Sequence, residues 1–218
     1  MPDAPNPVDR LEVASAVILS IAALASSGAS YEAGLWDGEQ AAHYSQASAL
    51  RIQASRAALE GDALKGVEVQ TFGAWLQAKS RGDDKMANFF QARFPADFKP
   101  AFNAWLADHP LTNPSAAPTP FDTSVYRRPG QTEANALDAQ AQKTFDTGQY
   151  DNAVSDAFEQ GSTMLAIALF FAGIGQVFKG KGTRIALLTV AGLAMVAGLL
   201  RLFSLPIQMI GLGPPGAG

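Results

Sequence analysis

Two apolar runs separated by a short basic linker constrain this chain more than any other feature. Met164–Phe178 and Ile185–Leu200 flank Lys179-Gly-Lys-Gly-Thr-Arg184, and no Asp or Glu occurs from Gly161 onward. A helix rises about 1.5 Å per residue, so crossing a hydrocarbon core of about 30 Å takes about 20 residues. Extended back to Gly161, the first run reaches that length before Lys179. The second passes Arg201 and continues to Leu205, just before Pro206. The expectation is a transmembrane hairpin over residues 161–205. Short loops rich in Lys and Arg stay on the cytoplasmic side, so its turn is expected inside.

Charge elsewhere is segregated. Residues 31–160 hold 17 acids against 11 Lys or Arg, a net of −6, whereas the rest holds three acids and five bases, a net of +2. Nucleic acid requires a basic face, so no nucleic-acid partner is expected. Charged residues make up 17% of the chain, below the ~25% usual in soluble domains. The absence of cysteine excludes disulfides, thiolate nucleophiles and Cys-ligated metals, and it suits a periplasmic location.

Residues 1–12 form a short Pro-rich tail with one base, Arg10, and Val13–Ala29 is apolar. A signal peptide and a retained span compete here. The lack of a cationic cluster at the start favours a retained first transmembrane helix over 13–31. Its small residues Ala22, Ala25, Ser26 and Ala29, spaced by threes and fours, form a groove that lets another helix approach closely. Gly192, Ala194 and Gly198 offer the same on the last span, and both sets are expected to pack helices together, between subunits. Tyr31 and Trp36 fall where an outer aromatic belt at the membrane interface would sit. With the N-terminus cytoplasmic, residues 32–160 are extracytoplasmic and the hairpin turn returns inside, in agreement with its charge.

From Glu32 to Lys79 helix formers dominate without a proline, and one long helix is expected, breaking near Gly61. Trp36, Gln40, His43, Ala47, Leu50 and Ala54 form a narrow stripe at spacings of three and four. Aromatic residues concentrate in 67–108: Phe72, Trp75, Phe89, Phe90, Phe94, Phe98, Phe102 and Trp105. They predict a small aromatic core, with helix starts at Asp83-Asp84 and Pro95-Ala-Asp97. Residues 109–130 are too rich in proline for helix or central strand. Helix is expected again from Thr132 through Glu159, running into the second span as one rod. The tail 206–218 ends in Gly and Pro and cannot order itself.

Catalytic signatures are weak. Gly175–Gly182 nearly spells a phosphate-binding loop, but Gly182 stands where Ser or Thr should follow Lys181, and the strand that must precede such a loop is absent. His43 and His109 belong to no ligand spacing and read as surface or loop side chains. No GxSxG elbow occurs. Asp151, Asp156 and Glu159 form an acidic cluster, read first as solvated charge at the headgroup boundary and second as a cation-attracting vestibule. Arg201 lies within an apolar span near its outer end, where it can snorkel to the headgroups or face a pore or another subunit. No catalytic residue, cofactor or metal is expected.

Trp36-Asp-Gly-Glu-Gln-Ala41 with Tyr44 and Gln46-Ala-Ser-Ala49, the Thr119-Pro-Phe121 loop, and Ser155-Asp156 ahead of Leu169-Phe-Phe-Ala-Gly-Ile174 resemble a group of uncharacterised bacterial three-span membrane proteins. The resemblance implies one N-terminal span, a helical extracytoplasmic domain and a C-terminal hairpin, and brings no activity. The resulting expectation is an all-α integral membrane protein of the bacterial inner membrane. It is not an enzyme but an assembly, scaffold or accessory subunit, with membrane lipid and either a homo-oligomer or a membrane complex as partners; the alternative is an oligomeric ion or small-solute channel.

Overall fold

The structure, a computed structural model, describes residues 9–208. Most of the N-terminal tail and the Gly/Pro end of the C-terminal tail therefore lie outside the described residues. Among the described residues, five α-helices occur in the order α1 (Arg10–Ser80), α2 (Asp84–Ala92), α3 (Lys99–Ala107), α4 (Gln131–Gly175) and α5 (Lys181–Phe203), with a single 3₁₀ turn at Pro120–Asp122. There is no strand among the described residues. Helices α1, α4 and α5 are each long and apolar enough to cross a membrane. The chain divides into two compact units, residues 1–45 with 144–218, and residues 46–143; α1 and α4 contribute to both.

Helix α1 starts at Asp9, whose carboxylate accepts the Leu11 N–H at 3.0 Å, the usual way of satisfying a first-turn donor. It stops where Gly82 adopts φ +74° and returns its N–H to the Lys79 carbonyl. The expected break near Gly61 does not occur. At that position a Cβ would stand 2.0 Å from the Pro129 carbonyl oxygen, so Gly61 is required for close approach of two backbones and the helix runs through it.

The first unit is a three-helix arrangement whose interior mixes many alanines with a few large side chains. Ala22, Leu165 and Ala168 form one buried group, Ala172, Leu188 and Ala191 a second, and Ala29, Ala33, Trp36, Val154 and Phe158 a third. Many large apolar side chains point outward: Leu24 is 77% exposed, Leu193 68% and Phe203 81%, with Val17, Phe170 and Leu200 among others, while Trp36, Phe158 and Leu165 are buried.

The second unit, 46–143, has the opposite interior. Phe72, Trp75, Phe94, Phe98, Phe102 and Trp105 are buried together, with Phe121 and Tyr126 packed against them. Their rings meet edge-on or offset, Trp75–Phe102 at 4.9 Å and Phe94–Phe102 at 4.7 Å, the arrangements aromatic quadrupoles favour. Asp83 caps α2 by accepting the Met86 N–H at 2.9 Å, as its position predicts. Phe89 departs from the expected core: it is exposed, and the Arg93 guanidinium lies 3.5 Å from its ring centroid. The Pro-rich connection 109–130 is folded onto the core by Phe121 and by Trp105 Nε1, which donates to the Ala117 carbonyl at 2.7 Å.

Candidate functional site

Polar side chains of the first unit gather where α1 meets α4. Ser26 and Ser162 share a hydrogen bond at 2.7 Å, Ser155 donates to the Ala33 carbonyl at 3.1 Å, and Gln40 Nε2 donates to Asn152 Oδ1 at 2.6 Å. One step further along both helices, His43 Nδ1 and Asp151 Oδ2 lie 2.7 Å apart. Beside that pair Tyr44 stacks on Phe145 at 5.0 Å, and Gly148 is bare because a Cβ would meet the Tyr44 ring at 2.8 Å. Two side chains at the expected exposed positions are therefore inside. Asp151 is 3% exposed and His43 is half-buried. The reason is register. Gln40 and His43 continue the stripe that runs from Trp36 to Ala47, so both face α4.

The three acids read as one cluster separate. Asp151 points into the helix interface, whereas Asp156, which accepts from Asn152 Nδ2 at 3.1 Å, and Glu159 are exposed. Glu159 borders a shallow groove of about 350 Å³ with Ser30, Asp37, Ser162 and Thr163. Of the two expected belt residues, Tyr31 is exposed but Trp36 is 2% exposed and packs edge-on to Tyr150 at 6.1 Å. A tryptophan on the helix-facing stripe fills the interior rather than the interface. Arg201 is exposed at the end of α5 and pairs with no carboxylate among the described residues.

The small-residue positions are mostly occupied within the chain. Ala22 and Ala29 are buried, Ser26 holds Ser162, Ala25 and Ala194 pack against the Ala22–Leu165–Ala168 group, and a Cβ on Gly198 would come 3.0 Å from the Leu165 side chain. They pack α1, α4 and α5 of one chain against one another. Gly192 differs, with open space where a Cβ would stand.

Two further carboxylates escaped the sequence reading. Glu32 is buried, and its Oε2 accepts the Gln208 backbone N–H at 2.9 Å, holding the chain that follows Pro206. In the second unit Glu68, 1% exposed, accepts from Tyr126 Oη at 2.8 Å. Burial pushes the Glu68 carboxyl above its ordinary value, the Tyr126 hydrogen bond opposing, and burial together with the Glu68 charge pushes the Tyr126 hydroxyl up. The signal for Glu68 was periodic: Ala54, Ala57, Gly61, Glu68, Phe72 and Trp75 continue the buried stripe by threes, fours and a seven.

What these groups can do chemically is limited. A base oriented by a carboxylate, as in His43–Asp151, needs a nucleophile or substrate proton within reach. No hydroxyl is hydrogen-bonded to His43 among the described residues. Nor do three or more His, Cys, Asp or Glu side chains converge as a metal site there. The polar contacts instead join α1 to α4 at four levels, which selects one register over its neighbours, the use for which buried polar groups in helix pairs are best attested. Compared with protein-family models, curated proteins and solved structures, the chain matches none.

Proposed function

We propose that the chain is a three-span protein of the bacterial inner membrane, with its N-terminus and the Lys179–Arg184 turn cytoplasmic and residues 32–160 periplasmic, acting without catalysis as an assembly, scaffold or accessory subunit in an oligomer or membrane complex. The observation that carries the membrane reading is the side-chain distribution of the first unit: many small residues at the helix contacts, and Leu24, Phe170, Leu193, Leu200 and Phe203 outside. Water penalises such a surface, and soluble monomers rarely expose contiguous apolar patches beyond a few hundred Å². Lipid tails do not penalise it, and close packing of small residues is what holds helices together there. Support for a scaffold comes from the polar residues of the α1–α4 interface, which bond to each other across the helices.

Single-cysteine variants on this Cys-free background test the topology. A reagent applied outside intact cells is expected to label position 115 and spare position 182; the reverse pattern inverts the reading. Ion flux in proteoliposomes separates scaffold from channel. Flux equal to empty vesicles is expected, and a conductance whose anion/cation ratio changes in Arg201→Gln would replace the scaffold with an oligomeric channel.

A further inference from the structure

We propose that the turn between α4 and α5 is a docking surface for anionic lipid headgroups, with Lys179 and Lys181 contacting the phosphates. This rests on the cytoplasmic placement of the turn proposed above. The chain leaves α4 at Gly175 and carries Val177 and Phe178 outward, 77% and 46% exposed, immediately before two exposed lysines. Apolar side chains held next to cations match a boundary with hydrocarbon on one side and headgroups on the other. A free phosphate would satisfy the lysines but leave Val177 and Phe178 uncovered; a lipid covers both.

The charge at this end is unbalanced in the same direction. Arg184 is committed to Asp9, its Nη1 lying 2.8 Å from Oδ2. The Asp9 carboxyl is held below its ordinary value by the Leu11 N–H first and then by the charges of Arg184 and Lys181, so it stays ionised and partners the arginine. Neither Lys179 nor Lys181 forms an ion pair among the described residues, and α5 carries no acid at all. The third base of the turn therefore fixes the start of α1 against α5, while the other two remain available to lipid. Basic side chains at an anionic surface contribute about fivefold each to association.

The test uses the full chain in nonionic detergent, titrated with phosphatidylglycerol or phosphatidylcholine of identical acyl chains and read by native mass spectrometry. Phosphatidylglycerol is expected to bind tighter by roughly 5- to 25-fold, the span for one to two lysines. Lys179→Gln with Lys181→Gln is expected to bring the two lipids within about twofold, whereas Lys85→Gln, an exposed lysine of the second unit, leaves the preference intact. Equal binding of both lipids by the native chain, an undiminished preference in the double variant, or displacement of the lipid by equimolar inorganic phosphate would each overturn the proposal. Alkaline carbonate extraction of membranes keeps the two readings apart. A chain released by carbonate defeats the membrane reading itself, and a retained chain without lipid preference defeats only the headgroup surface.

Discussion

The two units solve the same packing problem with opposite materials. Residues 46–143 gather nine aromatic rings, six of them buried, and interdigitate many of them edge to face. The other unit brings helices together largely over Ala22, Ala29, Ala168, Ala172, Ala191 and Gly198 and keeps many of its large side chains outside. In water, burying apolar area drives assembly, so bulk belongs inside. In lipid that drive is absent between helices and close backbone approach takes its place, so bulk belongs outside. One interior is sensitive to losing atoms, the other to gaining them.

The largest expected effect breaks the comparison from the aromatic side. Phe102 is 0% exposed and touches Phe72, Trp75, Phe94 and Trp105. Phe102→Ala is expected to destabilise the second unit by about 3–5 kcal/mol. Chemical denaturation of the detergent-solubilised chain, followed by tryptophan fluorescence from Trp75 and Trp105, measures it; a loss under about 1 kcal/mol would mean the rings are not a packed core.

Enlargement should do the damage in the other unit. Ala22 is 0% exposed beside Leu165 and Ala168, and Ala22→Leu is expected to cost about 1–3 kcal/mol as overpacking forces the helices apart. Thermal stability in detergent reports it. Tolerance of leucine there with a normal melting temperature would remove the contrast.

Smaller again is the polar register contact. Asp151→Leu leaves the half-buried His43 imidazole without its acceptor, at an expected cost of about 1–2 kcal/mol, while Asp151→Asn, which keeps an acceptor oxygen, should retain most of the stability. Equal losses in the two variants would mean that the hydrogen bond is not what Asp151 contributes.

Glu68 supplies a pH signature confined to the aromatic unit. Its folded carboxyl is raised above its ordinary value by burial, so the folded state holds the proton more tightly than the unfolded state. Stability from this group is fully present below the unfolded value and is lost as pH rises through the raised folded value. Glu68→Gln should flatten that slope and leave the variant relatively more stable at neutral pH than in acid. Denaturation midpoints at acid and neutral pH check the sign; a steeper fall in the variant contradicts it.

The smallest effect is expected at Arg201, exposed at the end of α5. Arg201→Lys should change stability by less than about 0.5 kcal/mol, since in the membrane placement proposed above either cation reaches the headgroups. A large loss in membrane expression would show that the guanidinium has a fixed partner.

Periodicity and charge made much of this legible from the residues alone. Long apolar runs, the absence of proline across α1 and the Ala134–Leu137–Ala141 spacing announce an all-helical chain with three helices apolar enough to cross a membrane, and α4 is the single rod that its sequence predicts. The stripe through Trp36, Gln40 and His43 was equally visible, because which residues share a helix face depends only on spacing. What faces that stripe is a different kind of fact. Whether Trp36 meets lipid or Val154 and Phe158, whether Asp151 is solvated or paired with His43, and whether Gly61 breaks a helix or admits Pro129 all depend on atoms more than 60 residues away in the chain. Local sequence determines the helix and its faces. Only the packing of distant segments decides which face is the interior, because a contact's energy belongs to both partners and no spacing rule names the second one.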